Sequence, residues 1–159
     1  MSYYYVSLMK QHFLFLINEY GFSIIKESYS PEIKIGNGSV VYQSKLVTLE
    51  IVVDKTDVLL KIGQRKAPLE KWFDFLDVMK YFAPEVDDVY LRSGVTLSLK
   101  DSLAVETRLH NIAILLRKYC QPLLAGDFSM KAKIQEVEEK RSKRVWGDPK
   151  SGAHDYQRP

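Results

Sequence analysis

Between Ser39 and Gly63 the chain alternates: Val47, Leu49, Ile51 and Val53 sit two apart, as do Val58, Leu60 and Ile62. Successive side chains of a strand point to opposite faces, so this pattern predicts a sheet with one face turned toward an apolar cover. The flanking stretches have the other period. Met9, Phe13, Leu16, Ile17 and Tyr20 are spaced to share one face of a helix running from about Tyr5 to Tyr20. Gly21 supplies the left-handed residue that stops such a helix, and Phe22 can fold back against it. Leu14 and Phe15 fall off the stripe, which leaves them for a second element or a partner.

Phe22 to Lys26 has the β-branched content of a strand and is followed by a polar break ending in Ser30 and Pro31. Ile33 and Ile35 precede Gly36-Asn37-Gly38, and Val40 and Tyr42 follow, a turn signal that predicts a hairpin or a tight loop there. Ser44-Lys45 and Asp54 to Asp57 are short separators between Ser39 to Gln43, Leu46 to Val53 and Val58 to Gly63. Connections that short make sequential strands antiparallel neighbours. Pro68 suits a first helical turn, and Leu69, Trp72, Phe73, Leu76 and Met79 then mark the buried stripe of a helix that Pro84 ends. Glu85 to Lys100 reads both ways, as strand through Val95, Leu97 and Leu99 and as helix through Val86, Val89 and Tyr90. Asp101 or Ser102 caps a long helix whose inner face carries Val105, Leu109, Ile112, Leu116 and Tyr119 or Cys120, with Pro122 bending or ending it. A last helix starts near Asp127 with Phe128, Met130, Ile134 and Val137 inward, and its far end, Lys140 to Arg144, is charged nearly all round and projects into water. The fold class is therefore α+β: an antiparallel meander of three to five strands, packed on one face by an N-terminal helix and two or more C-terminal helices. Residues 1–146 form one domain, and 147–159, without periodicity, form a disordered basic tail.

A chain of 159 residues, 46% of them hydrophobic, is large enough to bury a core without a disulfide or a structural metal. Its one cysteine, Cys120, sits in a helical apolar pattern and reads as a small buried hydrophobe, which makes a reducing compartment the simpler setting. The apolar run Phe13 to Ile17 is too short for a signal core or a membrane span, so a soluble cytoplasmic protein is expected. The net charge of +3 is uneven: Lys140 to Pro159 holds six cations against Asp148 and Asp155, and the rest of the chain is close to neutral.

Candidate chemistry is sparse. His12, His110 and His154 lack the mutual spacing of metal ligands, so no metal site and no cofactor is expected. His110 has no assigned nucleophile or orienting acid and reads as a packing or surface residue. Asp87, Asp88, Glu136, Glu138 and Glu139 read as solvated acids, and Gly36 to Gly38 lacks the Lys-Ser or Lys-Thr of a phosphate loop. Lys140, Arg141, Lys143 and Arg144, with Trp146 behind them, are the candidates for binding a nucleic acid by neutralising phosphates and stacking on a base. Glu136 and Glu139 precede Lys140 and Lys143 at helical pairing distance, which favours a self-paired, solvated helix end instead. Tyr3, Tyr4, Tyr5 and Tyr90 are the candidate anchors of a protein interface, and Trp72 is assigned to packing.

The string Glu19-Tyr20-Gly21-Phe22, Tyr29 and Pro31, Gly36-Asn37, Leu46 and Asp54 bracketing a strand, then Ile62-Gly63 and Trp72, resembles a group of small bacterial proteins of unknown function, some of them similar to immunity proteins of bacterial toxin systems. The resemblance covers the first half of the chain. It implies a non-enzymatic protein that works by covering a partner's surface, a toxin among the candidates. The leading expectation is therefore a protein-binding module, immunity-like or accessory to a toxin system. The alternatives are a nucleic-acid-associated protein acting through the basic segment and an enzyme with an unrecognised site. Homodimerisation through an open sheet edge or through Leu14 and Phe15 is a further expectation.

Overall fold

The computed structural model describes residues 2–30, 37–55, 57–86 and 101–146. The elements are α1 (Ser2–His12), α2 (Leu14–Tyr20), β1 (Ser23–Ser30), β2 (Asn37–Gln43), β3 (Val47–Asp54), β4 (Asp57–Gln64), a 3-10 turn (Leu69–Lys71), β5 (Phe73–Asp74), α3 (Phe75–Phe82), α4 (Asp101–Tyr119), α5 (Gln121–Leu124) and α6 (Lys131–Trp146). The five strands form one antiparallel sheet in the order β1-β2-β3-β4-β5. This is the α+β meander with helices from both ends of the chain that the hydrophobic pattern predicts.

The period-two residues all face inward. One row, Ile24-Tyr42-Leu49-Ile62-Phe73, crosses all five strands, and Val40-Ile51-Leu60 runs beside it. Every member but Ile24 is buried. Against this face lie α1, over β1 and β2, and α4, over β4 and against α1. Met9, Phe13 and Leu16 from the N-terminal helices, and Val105, Leu109, Ile112, Leu116 and Cys120 from α4 and its end, complete the core. The buried Tyr42 hydroxyl donates to the Met9 carbonyl at 3.4 Å, and burial raises its pKa. The cysteine is the small core residue the helical pattern indicates: its thiol faces the Met79 sulfur at 3.9 Å, and burial pushes its pKa up to about 12.

The outer face is different in kind. Its middle row, Lys26-Val41-Glu50-Lys61-Asp74, alternates in charge around one valine, and the next row is Ser28-Ser39-Val52-Leu59. At one end Trp72 lies on β4 over Gly63, where a Cβ would come within 2.5 Å of the indole, so only glycine allows this approach. The Trp72 indole N–H donates to the Ala67 carbonyl at 3.0 Å. The tryptophan packs as expected, but on the face opposite the core.

Local departures from the sequence expectations have identifiable causes. The helix expected over Tyr5 to Tyr20 is two, broken at Phe13, whose carbonyl accepts from Leu16 N–H. The break re-aims α2 so that Phe15 joins the core beside Phe13 and Tyr20. The face left over is thus Leu14 and Ile17, not Leu14 and Phe15. Gly21 does take the left-handed conformation, at φ 73°, and Phe22 N–H reaches back to the Leu16 carbonyl. β1 continues past Lys26 to Ser30, because Ser28, Tyr29 and Ser30 pair with Ser39, Gly38 and Asn37. Asn37 and Gly38 are therefore ladder residues and not a turn, and Gly38 lets Val6 and Met9 of α1 close on the sheet. The single helix expected after Pro68 is divided into the 3-10 turn, β5 and α3, because Phe73 and Asp74 extend to pair with Ile62 and Lys61. The last helix begins at Lys131, after a turn in which the Asp127 carboxylate accepts from Ser129 N–H. Glu85 to Lys100 from residue 87 onward, with Asp87, Asp88 and Tyr90, and the expected tail 147–159, lie outside the described residues.

Candidate functional site

β5 is two residues long and pairs only with Lys61 and Ile62. Past Asp74 the chain turns into α3, so on that side Asp57 to Leu60 of β4 have no strand partner among the described residues. A groove of about 390 Å³ opens there. Val58, Leu59 and Leu60 form one wall, Phe75 and Leu76 from the first turn of α3 form the other, Ile112 of α4 contributes from below, and Asp57, Asp74 and Arg141 supply the polar groups. Leu59 belongs to the outer face and is 54% exposed, and it also lines a shallower hollow with Tyr29, Ser39 and Val52.

Arg141 is the keystone of the groove's polar end. Its Nε donates to Asp77 Oδ1 at 2.7 Å, and its Nη2 donates to Asp77 Oδ2 at 2.9 Å and to Asp74 Oδ2 at 3.3 Å. The fork geometry matches a carboxylate with two parallel bonds, the strongest form of this contact. Asp77 is 1% exposed, and a buried carboxylate requires such a partner. The hydrogen bond that the guanidinium donates to Asp77 raises its pKa above the ordinary value. Nearby, Glu138 on α6 has its pKa raised, first by burial and then by Asp77 and Asp74, with Arg141 and Lys61 opposing.

This placement revises the expectation for the basic segment. Arg141 turns inward to join α6 to α3, so the end of the helix is not charged all round toward water. Lys140 and Lys143 are exposed, while Arg144 and Trp146 are helix positions whose side chains lie outside the described residues. The tyrosine cluster is also divided. Tyr4 is 46% exposed, Tyr5 is 5% exposed and belongs to the core, and the side chain of Tyr3 lies outside the described residues. Tyr5 is thus a packing residue, because the helix that carries it faces the sheet at that position.

The fold also brings together two residues that the sequence keeps 98 positions apart. His12, at the end of α1, and His110, on α4, meet edge to face with ring centroids 5.7 Å apart. His12 Nε2 is buried with no hydrogen-bond partner among the described residues, and burial lowers its pKa, with Glu106 opposing and His110 assisting. Sequence spacing could not have found this contact, since it arises only where α1 crosses α4. Among the described residues no group of three or more His, Cys, Asp or Glu side chains could hold a metal ion, and no helix is long and apolar enough to cross a membrane. No protein-family model, curated protein or solved structure matches this chain.

Proposed function

We propose that this chain is a protein-binding module that takes an extended segment of its partner into the groove beside β4. The observation that carries this reading is the coincidence of a strand edge that, among the described residues, is unpaired over Asp57 to Leu60 with an apolar groove along that edge. A segment laid there gains main-chain hydrogen bonds from the edge and buries alternate side chains against Val58, Leu60, Phe75 and Ile112. The groove's ionisable groups are two carboxylates and a guanidinium, and the ion pairs joining Arg141 to Asp74 and Asp77 make a stable wall, which suits binding better than turnover. Homodimerisation at this edge is a special case in which the partner is a second copy.

The resemblance over the first half of the chain, which includes β4, supports a narrower form: an immunity-like or accessory factor of a bacterial toxin system, with a toxin as partner. A cytoplasmic setting fits a lone buried thiol. The nucleic-acid reading retains Lys140 and Lys143 but has lost Arg141 to Asp77, which leaves it the weaker alternative.

The test is a photo-crosslinking residue in place of Leu59 in the full chain, applied in the native cell. The expected product is a conjugate to one extended segment of a partner, lost when Leu76→Glu places a charge in the opposite wall. Retention of the partner unchanged in Leu76→Glu, or crosslinks to nucleic acid from a probe at Lys140 instead, would refute it.

A further inference from the structure

We infer that the segment taken by the groove is a strand antiparallel to β4 that carries apolar residues opposite Leu60 and Val58 and a lysine or arginine opposite Asp57; this rests on the docking reading above. The direction follows from the sheet, in which every pair is antiparallel. The side-chain pattern follows from the faces. Leu60 is buried and Val58 packs against the core, so both belong to the inner face, and Asp57 and Leu59 belong to the outer one. An incoming strand laid along Leu60, Leu59, Val58 and Asp57 in its own N-to-C direction alternates in the same way.

The charge comes from what the described surroundings leave uncompensated. Asp57 stands directly opposite Asp54 across the β3–β4 hairpin, with Lys55 in the turn between them. Like charges directly opposite in a ladder are unfavourable, and a third charge of opposite sign at that position relieves them. At the groove's other end, Arg141 and Lys61 face Asp74, Asp77 and Glu138, and both cations already pair with aspartates. Among the residues that line the groove, Asp57 and Asp74 stand against one cation, Arg141, which is already paired with Asp74 and Asp77. A partner strand ending in a cation supplies what is missing, and one ending in an acid meets Asp57 and Asp54 together.

The experiment is selection of random-sequence peptides against the immobilised full chain, followed by affinity measurement and crosslinking through a probe at Leu59. The expected winners alternate apolar residues and end in Lys or Arg. Asp57→Lys weakens them about fivefold, the size of a cross-strand charge pair. Changing the peptide's Lys to Glu restores binding to Asp57→Lys. Peptides that crosslink at Leu59 without a basic preference, and that bind Asp57→Lys equally, would overturn this inference and leave the docking reading standing. Peptides that never crosslink at Leu59 would overturn both. Asp57→Lys removes the like-charge pair with Asp54, so it is expected to fold at least as well as the parent, which circular dichroism and a urea melt check.

Discussion

Two seams between helices flank the sheet, and each has a polar side chain sunk into it. Where α3 meets α6, Asp77 is buried and both its oxygens accept hydrogen bonds from Arg141. Where α1 meets α4, His12 brings a nitrogen into the interior that finds no partner among the described residues, beside a second imidazole. The first seam tolerates a full charge because the opposite charge arrives in the matching geometry. The second tolerates an imidazole only because a histidine, unlike an aspartate, can stay neutral near pH 7. The pairing makes α3–α6 a seam of fixed register. The α1–α4 seam holds its shape through apolar packing and carries its polar atom at a cost of about 1–3 kcal/mol.

Breaking the paired seam is expected to have the largest effect. Arg141→Ala strands the Asp77 carboxylate in the interior and should cost about 3–5 kcal/mol in a urea titration, the usual penalty for removing one partner of a buried pair. The double change Asp77→Leu with Arg141→Met should recover most of that loss, since apolar replacement of both partners removes the unpaired charge. If Arg141→Ala melts within about 1 kcal/mol of the parent, Asp77 is hydrated and the contrast between the seams disappears.

At the other seam the sensitive variable is pH. Burial holds the folded-state pKa of His12 below 6.5, so between the two values the unfolded chain binds more protons than the folded one. The stability contributed by keeping His12 neutral is therefore complete above about pH 6.5 and is lost as the pH falls from there toward the folded value. His12→Phe, which keeps the ring and removes the unpartnered nitrogen, should flatten this dependence and be neutral to stabilising by about 1 kcal/mol at pH 7. A parent protein whose stability is level from pH 7 to 5 would show that the nitrogen is solvated.

The smallest effects sharpen the assignment of cause. Glu106→Gln should move the His12 titration, followed by NMR of its ring protons, to lower pH, because Glu106 favours the charged form. His110→Gln should move it to higher pH by a lesser amount, since the influence of His110 ranks behind both burial and Glu106. Shifts of the opposite sign would mean that the seam is arranged differently in solution.

The candidate site and the fold were legible to different degrees. The inward row of β3 and β4 and the buried stripe of α4 could be read directly, because a run of eight residues at period two, or nineteen at period 3.6, leaves one apolar face that must be covered. The two-residue strand β5 carries no periodic signal, and the break at Phe13 has neither glycine nor proline to announce it. The groove depends on the first of these, since β5 pairs only with Lys61 and Ile62 and leaves the rest of that edge to the groove. Arg141 was visible as a cation in a basic stretch, but its partner lies 64 positions away on another helix. Asp77 has no sequence signal that sets it apart from the other acids of the chain. Tyr5 stands in a run of three tyrosines, and only the angle at which α1 meets the sheet separates it from Tyr4.

By itself, then, the amino-acid order determined a meander with one oily face and the helices that must cover it, because periodicity follows from backbone geometry that every strand and helix shares. Only the tertiary structure decided how far β5 covers the edge of β4, which arginine is spent on a buried carboxylate, and which two histidines meet. Those outcomes depend on where separate elements cross, and crossing points depend on packing between residues far apart in the chain.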